Sequence, residues 1–125
     1  MIRRVEGVAA VLHTPMAGRG VRFGEPSLSP LAAGAEVRFR RSRVGEVVAV
    51  WQDGDRVLWR GDLDEPDVYA LVDARRLIGM PSIVQARSET QHGGMVIHDW
   101  TVAGIDLMTT AVAPWPGMEI SLISR

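Results

Sequence analysis

The stretch that most constrains the fold is residues 44–63, VGEVVAVWQDGDRVLWRGDL. Two runs rich in valine and tryptophan flank the pair Asp53 and Gly54. Asp-Gly between apolar runs is a strong hairpin signal, because both central residues of a type I′ turn need positive φ. The sequence therefore predicts a hairpin with this pair as its loop, in which Trp51 lies opposite Arg56.

This predicted register decides which residues share a face, because strand side chains alternate. One face would carry Val48, Val50, Val57 and Trp59. The other would carry Val47, Ala49, Trp51, Leu58 and Arg60. Since neither face is fully polar, we expect the hairpin inside a barrel or sandwich rather than at a free edge.

The rest of the chain shows short strand patterns separated by turn signals. Apolar or alternating runs predict strands at residues 5–13, 36–41, 82–87, 95–102, 105–113 and 118–123. Residues 14–34 hold four glycines and three prolines and predict a long irregular loop. Gly93 and Gly94 predict a second hairpin loop, Gly104 an interruption, and residues 114–117 a turn.

Helical spacing occurs at residues 68–78, where apolar residues stand at 68, 71, 72 and 78. Pro66 suits the first turn, and Gly79 suits the position just after the last turn. The pattern predicts one helix and a mainly β fold, a small antiparallel β-barrel or sandwich with that helix packed on it. A length of 125 residues fits one β-rich domain over residues 1–125.

Composition excludes several classes of function. A net charge of −1 gives no global field that would attract nucleic acid, so we expect no direct nucleic-acid binding. The absence of cysteine excludes disulfides, thiolate metal sites and a cysteine nucleophile. No apolar run approaches about 18 residues, so we expect no membrane-spanning helix.

No metal or cofactor is expected. Asp62, Asp64 and Glu65 have a spacing that a hard metal could use, but helix capping explains these acids more simply. The three histidines, at positions 13, 92 and 98, are scattered and form no close pair on a helix. Residues 18–24 are rich in glycine but lack the spacing of a phosphate-binding loop.

All 14 basic residues are arginine, and four of them, Arg38, Arg40, Arg41 and Arg43, form the one basic cluster. Arginine and tryptophan dominate interface hot spots, so we assign binding to these four arginines and to Trp115. A solvated strand face is the alternative for the arginines, and core packing is the alternative for each tryptophan.

Ser82 is the candidate nucleophile, because it is expected to begin a strand just after Gly79 and Pro81. With Gly93 and Gly94 as the loop, His98 would lie opposite Glu89. A serine after proline is also a common turn residue, and a histidine facing a glutamate across a hairpin is also a common surface pair.

The order of these features resembles the prohead maturation proteases of tailed phages, which are related in fold to the herpesvirus assemblins. The similar stretches are residues 7–11, residues 44–47 and 59–63 of the hairpin, residues 79–83 after the helix, and residues 105–123 with Pro114. In that family a Gly-x-Ser-Ile/Val stretch after the helix carries the nucleophile, which the resemblance assigns to Ser82.

One departure from the family decides the functional hypothesis. The family's general base is a histidine just before the Ile/Val-Gly of the hairpin, where this chain has only arginine, serine and Phe39 over residues 38–43. An arginine stays protonated and cannot accept the serine proton. By analogy, His98 matches only the third, orienting member of such a triad.

We therefore expect a non-enzymatic phage structural protein on a protease-like barrel, a minor or decoration subunit that binds the major capsid protein or other virion proteins. It would be oligomeric within an assembly and located in the virion, after assembly in the host cytoplasm. The first alternative is an active serine protease using Ser82 with His98 or His92 and Glu89. The second is a neck or tail adaptor.

Overall fold

The computed structural model describes residues 2–16, 20–27, 35–84, 86–91 and 94–123. His92, Gly93 and parts of the predicted irregular loop, residues 17–19 and 28–34, lie outside these ranges. The described ranges contain one α-helix, α1 at Pro66–Asp73, and one 3₁₀ turn at Thr110–Val112. The strands are β1 Arg3–Val11, β2 Val21–Phe23, β3 Glu36–Phe39, β4 Ser42–Asp53, β5 Arg56–Leu63, β6 Leu77–Val84, β7 Arg87–Gln91, β8 Gly94–His98, β9 Thr101–Thr109 and β10 Ser121–Leu122.

A curled seven-stranded sheet with one helix is the main feature, and it confirms the predicted small β-barrel class. Its strand order is β10-β1-β5-β4-β3-β9-β6, and a second sheet has the order β2-β8-β7. Not every pair is antiparallel as predicted, since β3 pairs with β9 and β2 with β8 in parallel. The C-terminal segment connects the two edges of the large sheet, because Leu122 pairs with Val5 while Glu119 bridges to Ile78.

Trp59 lies at the centre of the core with no solvent exposure. Gly79 leaves room for it, because a Cβ there would lie 2.5 Å from the indole ring. A second aromatic group contains Phe23, whose ring centroid is 4.8 Å from that of Trp100 and 6.0 Å from that of Trp115. These contacts hold the chain before β3 against the barrel.

The predicted β4–β5 hairpin forms, but its register differs by one residue. Asp53 pairs with Arg56 and Trp51 with Leu58, so the loop is Gly54 and Asp55. Of these two loop residues only Gly54 has a positive φ, 61°. This fits a type II′ turn, which needs glycine only at its first central position and spares Asp53 a left-handed conformation.

The predicted hairpin face also changes, because the β4–β5 register shifts between Val47 and Ala49. Val48 is 44% exposed and does not share the face of Trp59. Val50 does lie opposite Trp59, as a member of the inner face. A bulge of this kind bends the strand and re-aims a side chain, which a strict alternation cannot anticipate.

The helix ends earlier than predicted. Arg75 adopts φ 55°, its N–H donates to the carbonyl of Val72, and the N–H of Arg76 donates to that of Leu71. These two bonds form a Schellman cap, which stops the helix before residue 78. Ile78 and Gly79 consequently belong to strand β6.

Several strand boundaries differ from the prediction. Residues 21–23, within the predicted irregular loop, form β2. Strand β6 begins at Leu77, so Ser82 lies inside a strand and not at its start. Gly104 does not interrupt a strand but lies within β9, where a Cβ would approach the carbonyl oxygen of Glu36 to 2.8 Å.

Candidate interaction surface

The β3–β4 hairpin presents the predicted basic cluster. Arg38 pairs with Arg43 and Phe39 with Ser42, which leaves Arg40 and Arg41 as a two-residue loop. Their φ angles are 50° and 70°, as a type I′ turn requires. Glycine and asparagine normally fill these positions, because a bulky side chain at positive φ is strained. We call this loop the arginine turn.

The four arginines do not have equivalent surroundings, and two of them are held by partners within the chain. Arg38 donates to a carboxylate oxygen of Glu36 at 3.3 Å and to the carbonyl of Arg41 at 2.9 Å. Arg43 donates to Asp64 at 3.0 Å and to Glu46 at 3.1 Å. The hydrogen bond with Asp64 is the main reason that the pKa of Arg43 is raised.

Arg40 and Arg41 differ from this pair. Both are exposed, and neither forms an ion pair with any residue in the described ranges. The guanidinium carbon of Arg40 lies 4.8 Å from the ring centroid of Phe39, which supports the side chain by a cation–π contact. Within the described residues, the predicted cluster therefore divides into two arginines with acidic partners and two without.

Two grooves flank the Phe39–Arg40 ridge. One, of about 450 Å³, runs toward the start of α1 and contains Arg43 together with the acids Glu65 and Asp67. The other, of about 550 Å³, lies against the ends of β6 and β9; we call it the arginine groove. Residues that line it include Arg38, Arg40, Arg41, Met80, Asp106, Met108 and Val112.

A depression of about 380 Å³, lined by residues with apolar side chains, adjoins the arginine groove, and Met80, Met108 and Val112 border both. We call it the methionine groove; Met16 and Pro114 also line it. Met108 is 42% exposed and Val112 is 53% exposed, so large apolar surface faces solvent here. An apolar wall thus continues directly from the two unpaired arginines.

Sequence reasoning missed the residues of this wall. Met108 points outward from β9 next to buried Leu107, and the same outward row contains Asp106. The alternation around Leu107 was a usable signal for an outward methionine. No signal in the sequence indicated that Met108 lies near Arg40, because that nearness depends on the parallel pairing of β3 with β9.

The candidate nucleophile Ser82 lies on β6, opposite Gly104 of β9. It borders a small groove of about 230 Å³ whose other polar side chains are Glu36, Arg38 and Asp106. Proline at position 81 is consistent with the place of β6 at the edge of its sheet, where prolines within strands are usually found. The structure therefore brings Ser82 close to an arginine, and none of the described residues that line this groove is a histidine.

His98 belongs to the other sheet, on β8. In the β7–β8 hairpin Gln91 pairs with Gly94, so His98 pairs with Arg87 and not with Glu89 as predicted. Nε2 of His98 still lies 3.2 Å from Oε2 of Glu89, as a diagonal neighbour. This nitrogen is buried without an aligned hydrogen bond in the described structure, so the distance describes a close polar contact and not a hydrogen bond.

Trp115 is a core residue, which corrects its assignment to a binding face. It is 3% exposed, and its indole N–H donates to the carbonyl of Thr14 at 3.0 Å. Trp59 and Trp100 are fully buried. Trp51 is half-buried, and the guanidinium of Arg60 lies 5.2 Å from its ring centroid.

Of the three acids before the helix, Asp62 and Asp64 have structural partners. Asp62 accepts two hydrogen bonds from Arg4, at 2.9 and 3.1 Å, which raise the pKa of Arg4. Glu65 stands at the N-cap but its side chain makes no capping bond, so the capping explanation is wrong for this residue. Within the described ranges, no group of three or more His, Asp or Glu side chains could hold a metal ion.

A polar contact that the sequence did not reveal lies at the opposite end of β4. Glu25 accepts from Gln52 at 3.1 Å, and one of its oxygens lies 3.2 Å from Nε2 of His13. The contact with His13, followed by that with Gln52, lowers the pKa of Glu25. These exposed groups tie the chain after β2 to the tip of the β4–β5 hairpin.

Comparisons of this chain with protein-family models, curated proteins and solved structures found no match. In the part of the chain that the structure describes, no helix has the length and apolar character needed to cross a membrane.

Proposed function

We propose that this chain is a non-enzymatic structural protein of a tailed phage, a minor or decoration subunit that binds the major capsid protein. The proposal combines the resemblance to prohead proteases with a small barrel that carries one helix. Fold and activity are separable, so a protease-like barrel without its catalytic groups can serve as a binding subunit.

The observation that carries the proposal is the surroundings of Ser82. Serine attack needs a base within about 3.2 Å that can take the hydroxyl proton. Arg38 borders the same groove as Ser82 and cannot accept a proton. His98 lies on the other sheet, in contact with Glu89. These positions favour binding over cutting.

The carboxylates of the Ser82 groove do not supply a clear substitute for the base. Glu36 of β3 lies across β9 from Ser82 and pairs with Arg38 at 3.3 Å, and Asp106 of β9 lies opposite Met80 and not Ser82. A carboxylate is in general a weaker base than the imidazole that the family uses. A triad that loses its base typically keeps only a small part of its rate enhancement.

The binding side of the proposal rests on the arginine groove. Arg40 and Arg41 are exposed and unpaired among the described residues, and exposed apolar surface begins beside them. Interface cores combine arginine with apolar and aromatic contacts, as this surface does with Phe39 and Met108.

The test is to produce the chain together with the major capsid protein of the phage that encodes it and to separate assembled shells by gradient sedimentation. We expect wild type and Ser82→Ala to co-sediment equally with shells, and the capsid protein to keep its full length in both. The alanine variant is a matched control because Ser82 is exposed and its removal leaves the β6–β9 ladder intact.

Two results would overturn the proposal. Cleavage of a capsid or scaffold protein that occurs with wild type and disappears with Ser82→Ala would identify an active protease. A chain that forms rings alone and does not bind shells would identify an adaptor.

A further inference from the structure

We propose that the arginine and methionine grooves together bind a short acidic and apolar peptide segment of the partner protein, in which Asp or Glu residues stand beside large apolar side chains. The acids would pair with Arg40 and Arg41, and the apolar side chains would contact Met80, Met108 and Val112. This inference rests on the proposed function, because it names the chemistry of the segment that the subunit recognises.

The first observation is that the guanidinium groups at one end of the arginine groove have no acidic partner among the described residues. Arg4, Arg43 and Arg60 each donate to a carboxylate of the chain at 3.2 Å or less. Arg40 and Arg41 have no such partner in the described ranges. Other arginines also lack one there, but of these only Arg40 and Arg41 line the arginine groove. A guanidinium matches a carboxylate with two parallel hydrogen bonds, so an acidic segment is the complementary occupant.

The backbone of the arginine turn is the second observation. Arg40 and Arg41 both have positive φ, a conformation that costs free energy for any residue with a large side chain. Asn-Gly would form the same two-residue turn with less strain. Strain of this kind is found at functional sites, and here it holds two guanidinium groups at the tip of a hairpin.

The apolar wall is the third observation, and it distinguishes a peptide from other anions. The two depressions, of about 550 and 380 Å³, are large enough for several side chains. The exposed side chains of Met108 and Val112 have no charge or hydrogen-bond donor for a phosphate, whereas a flexible methionine adapts to varied apolar partners. Asp106 and the overall charge of −1 also disfavour a nucleic-acid backbone.

The test is selection from a displayed library of random peptides on the immobilised full chain. We expect the selected peptides to be enriched in Asp or Glu next to Leu, Ile, Met or Phe. A selected peptide should bind Arg41→Glu about tenfold more weakly than wild type, the loss typical of one hot-spot arginine.

The matched control is Arg56→Glu, which makes the same charge change at an exposed arginine of β5, next to the turn at the other end of β4. It should bind the same peptide as wild type does. Equal losses in both variants would indicate a general charge effect and overturn the inference, as would selected peptides without acidic residues.

Methyl NMR of methionine would locate the bound peptide. The methyl signals of Met80 and Met108 should shift on titration. Met95 is the control, because it is 43% exposed but lies on β8 of the other sheet. A shift of Met95 alone would overturn the inference, and so would tighter binding of a double-stranded DNA oligonucleotide than of the peptide.

Sedimentation of the same variants separates this inference from the proposed function. Arg41→Glu should lose co-sedimentation with shells while Arg56→Glu keeps it. If both variants bind shells like wild type, the groove inference fails and the capsid-binding function stands. If wild type binds the selected peptide through Met80 and Met108 but does not bind shells, the proposed function fails instead.

Discussion

Strand β4 has a hairpin turn at each end, and the two turns contrast in their chemistry. At one end Gly54 occupies the position of positive φ, 61°, and a Cβ there would contact nothing within 4 Å. At the other end Arg40 and Arg41 occupy two positions of positive φ. The first turn has the residue that its geometry demands, whereas the second has two that its geometry disfavours.

The difference between the two turns indicates different roles. The loop of Gly54 and Asp55, which we call the glycine turn, needs no explanation beyond folding, since it closes a hairpin at little conformational cost. The arginine turn costs free energy and leaves two charges without a partner in the described structure. A strained turn with unused charge beside an apolar groove is better explained by binding than by folding.

The largest loss of stability is expected from Gly45→Ala, because Gly45 lies in the hairpin that carries the arginine turn. Gly45 pairs with Val37 on one side and with Leu63 on the other, and a Cβ there would overlap the carbonyl oxygen of Asp62. Because backbone must move to make room, we expect a loss of about 3 kcal/mol or more in the free energy of unfolding. Urea unfolding measures this, and a loss below about 1 kcal/mol would contradict the close strand approach.

The second-largest loss of stability is expected from Gly54→Arg, which gives the glycine turn the residue type of the arginine turn. The space there is open, so the change isolates the backbone cost of arginine at positive φ. We expect a loss of about 1–2 kcal/mol in unfolding free energy. Asp55→Arg, one residue on and without positive φ, should change it by less than about 0.5 kcal/mol.

The reverse exchange, Arg41→Gly, should stabilise the protein. Relief of the positive-φ strain at 70° exceeds the extra entropy of glycine in the unfolded chain, which leaves a gain of about 0.5–1 kcal/mol. Thermal unfolding measures the gain, and peptide binding should weaken in the same variant. A loss of stability would show that Arg41 has a structural role and would remove the contrast between the turns.

The smallest effect concerns Glu25, which anchors the glycine end through Gln52 and His13. Its pKa is lower in the folded protein than the ordinary value of 4.5, so the stabilisation is complete above pH 4.5 and is lost as pH falls through the lowered pKa. Because the carboxylate is exposed, the effect should be small and should weaken with salt.

Urea midpoints of wild type and Glu25→Gln, measured between about pH 6 and pH 3, test this prediction. The difference between the two proteins should shrink as the pH is lowered. A constant difference over that range would mean that the carboxylate contributes nothing through its charge.

Local features of the fold followed from the sequence where residues adjacent in the chain decide the structure. The apolar run at residues 5–13 predicted β1, and Asp53 and Gly54 predicted a hairpin at the correct place. The one-residue error in its loop arose because Asp-Gly also permits a turn in which glycine is the first central residue. The helix end was missed because Arg75 caps it in a conformation that arginine rarely adopts.

The candidate site was only partly predictable for the same reason. The basic cluster was visible as Arg38, Arg40, Arg41 and Arg43, but nothing local told paired arginines from unpaired ones. Asp64, which holds Arg43, comes from the end of a different hairpin. Trp115 was assigned to a surface because its contact with Thr14, distant in the chain, could not be foreseen.

By itself, the sequence determined the class of the fold and the position of its basic hairpin, because strand alternation, turn residues and charge are local properties of the chain. Tertiary structure alone decided which described residues share a groove: Ser82 with Arg38, and Arg40 with Met108. These residues are neighbours because β9 pairs in parallel with β3 and in antiparallel orientation with β6. Such pairing joins segments far apart in the chain through packing and hydrogen bonds that no short pattern encodes.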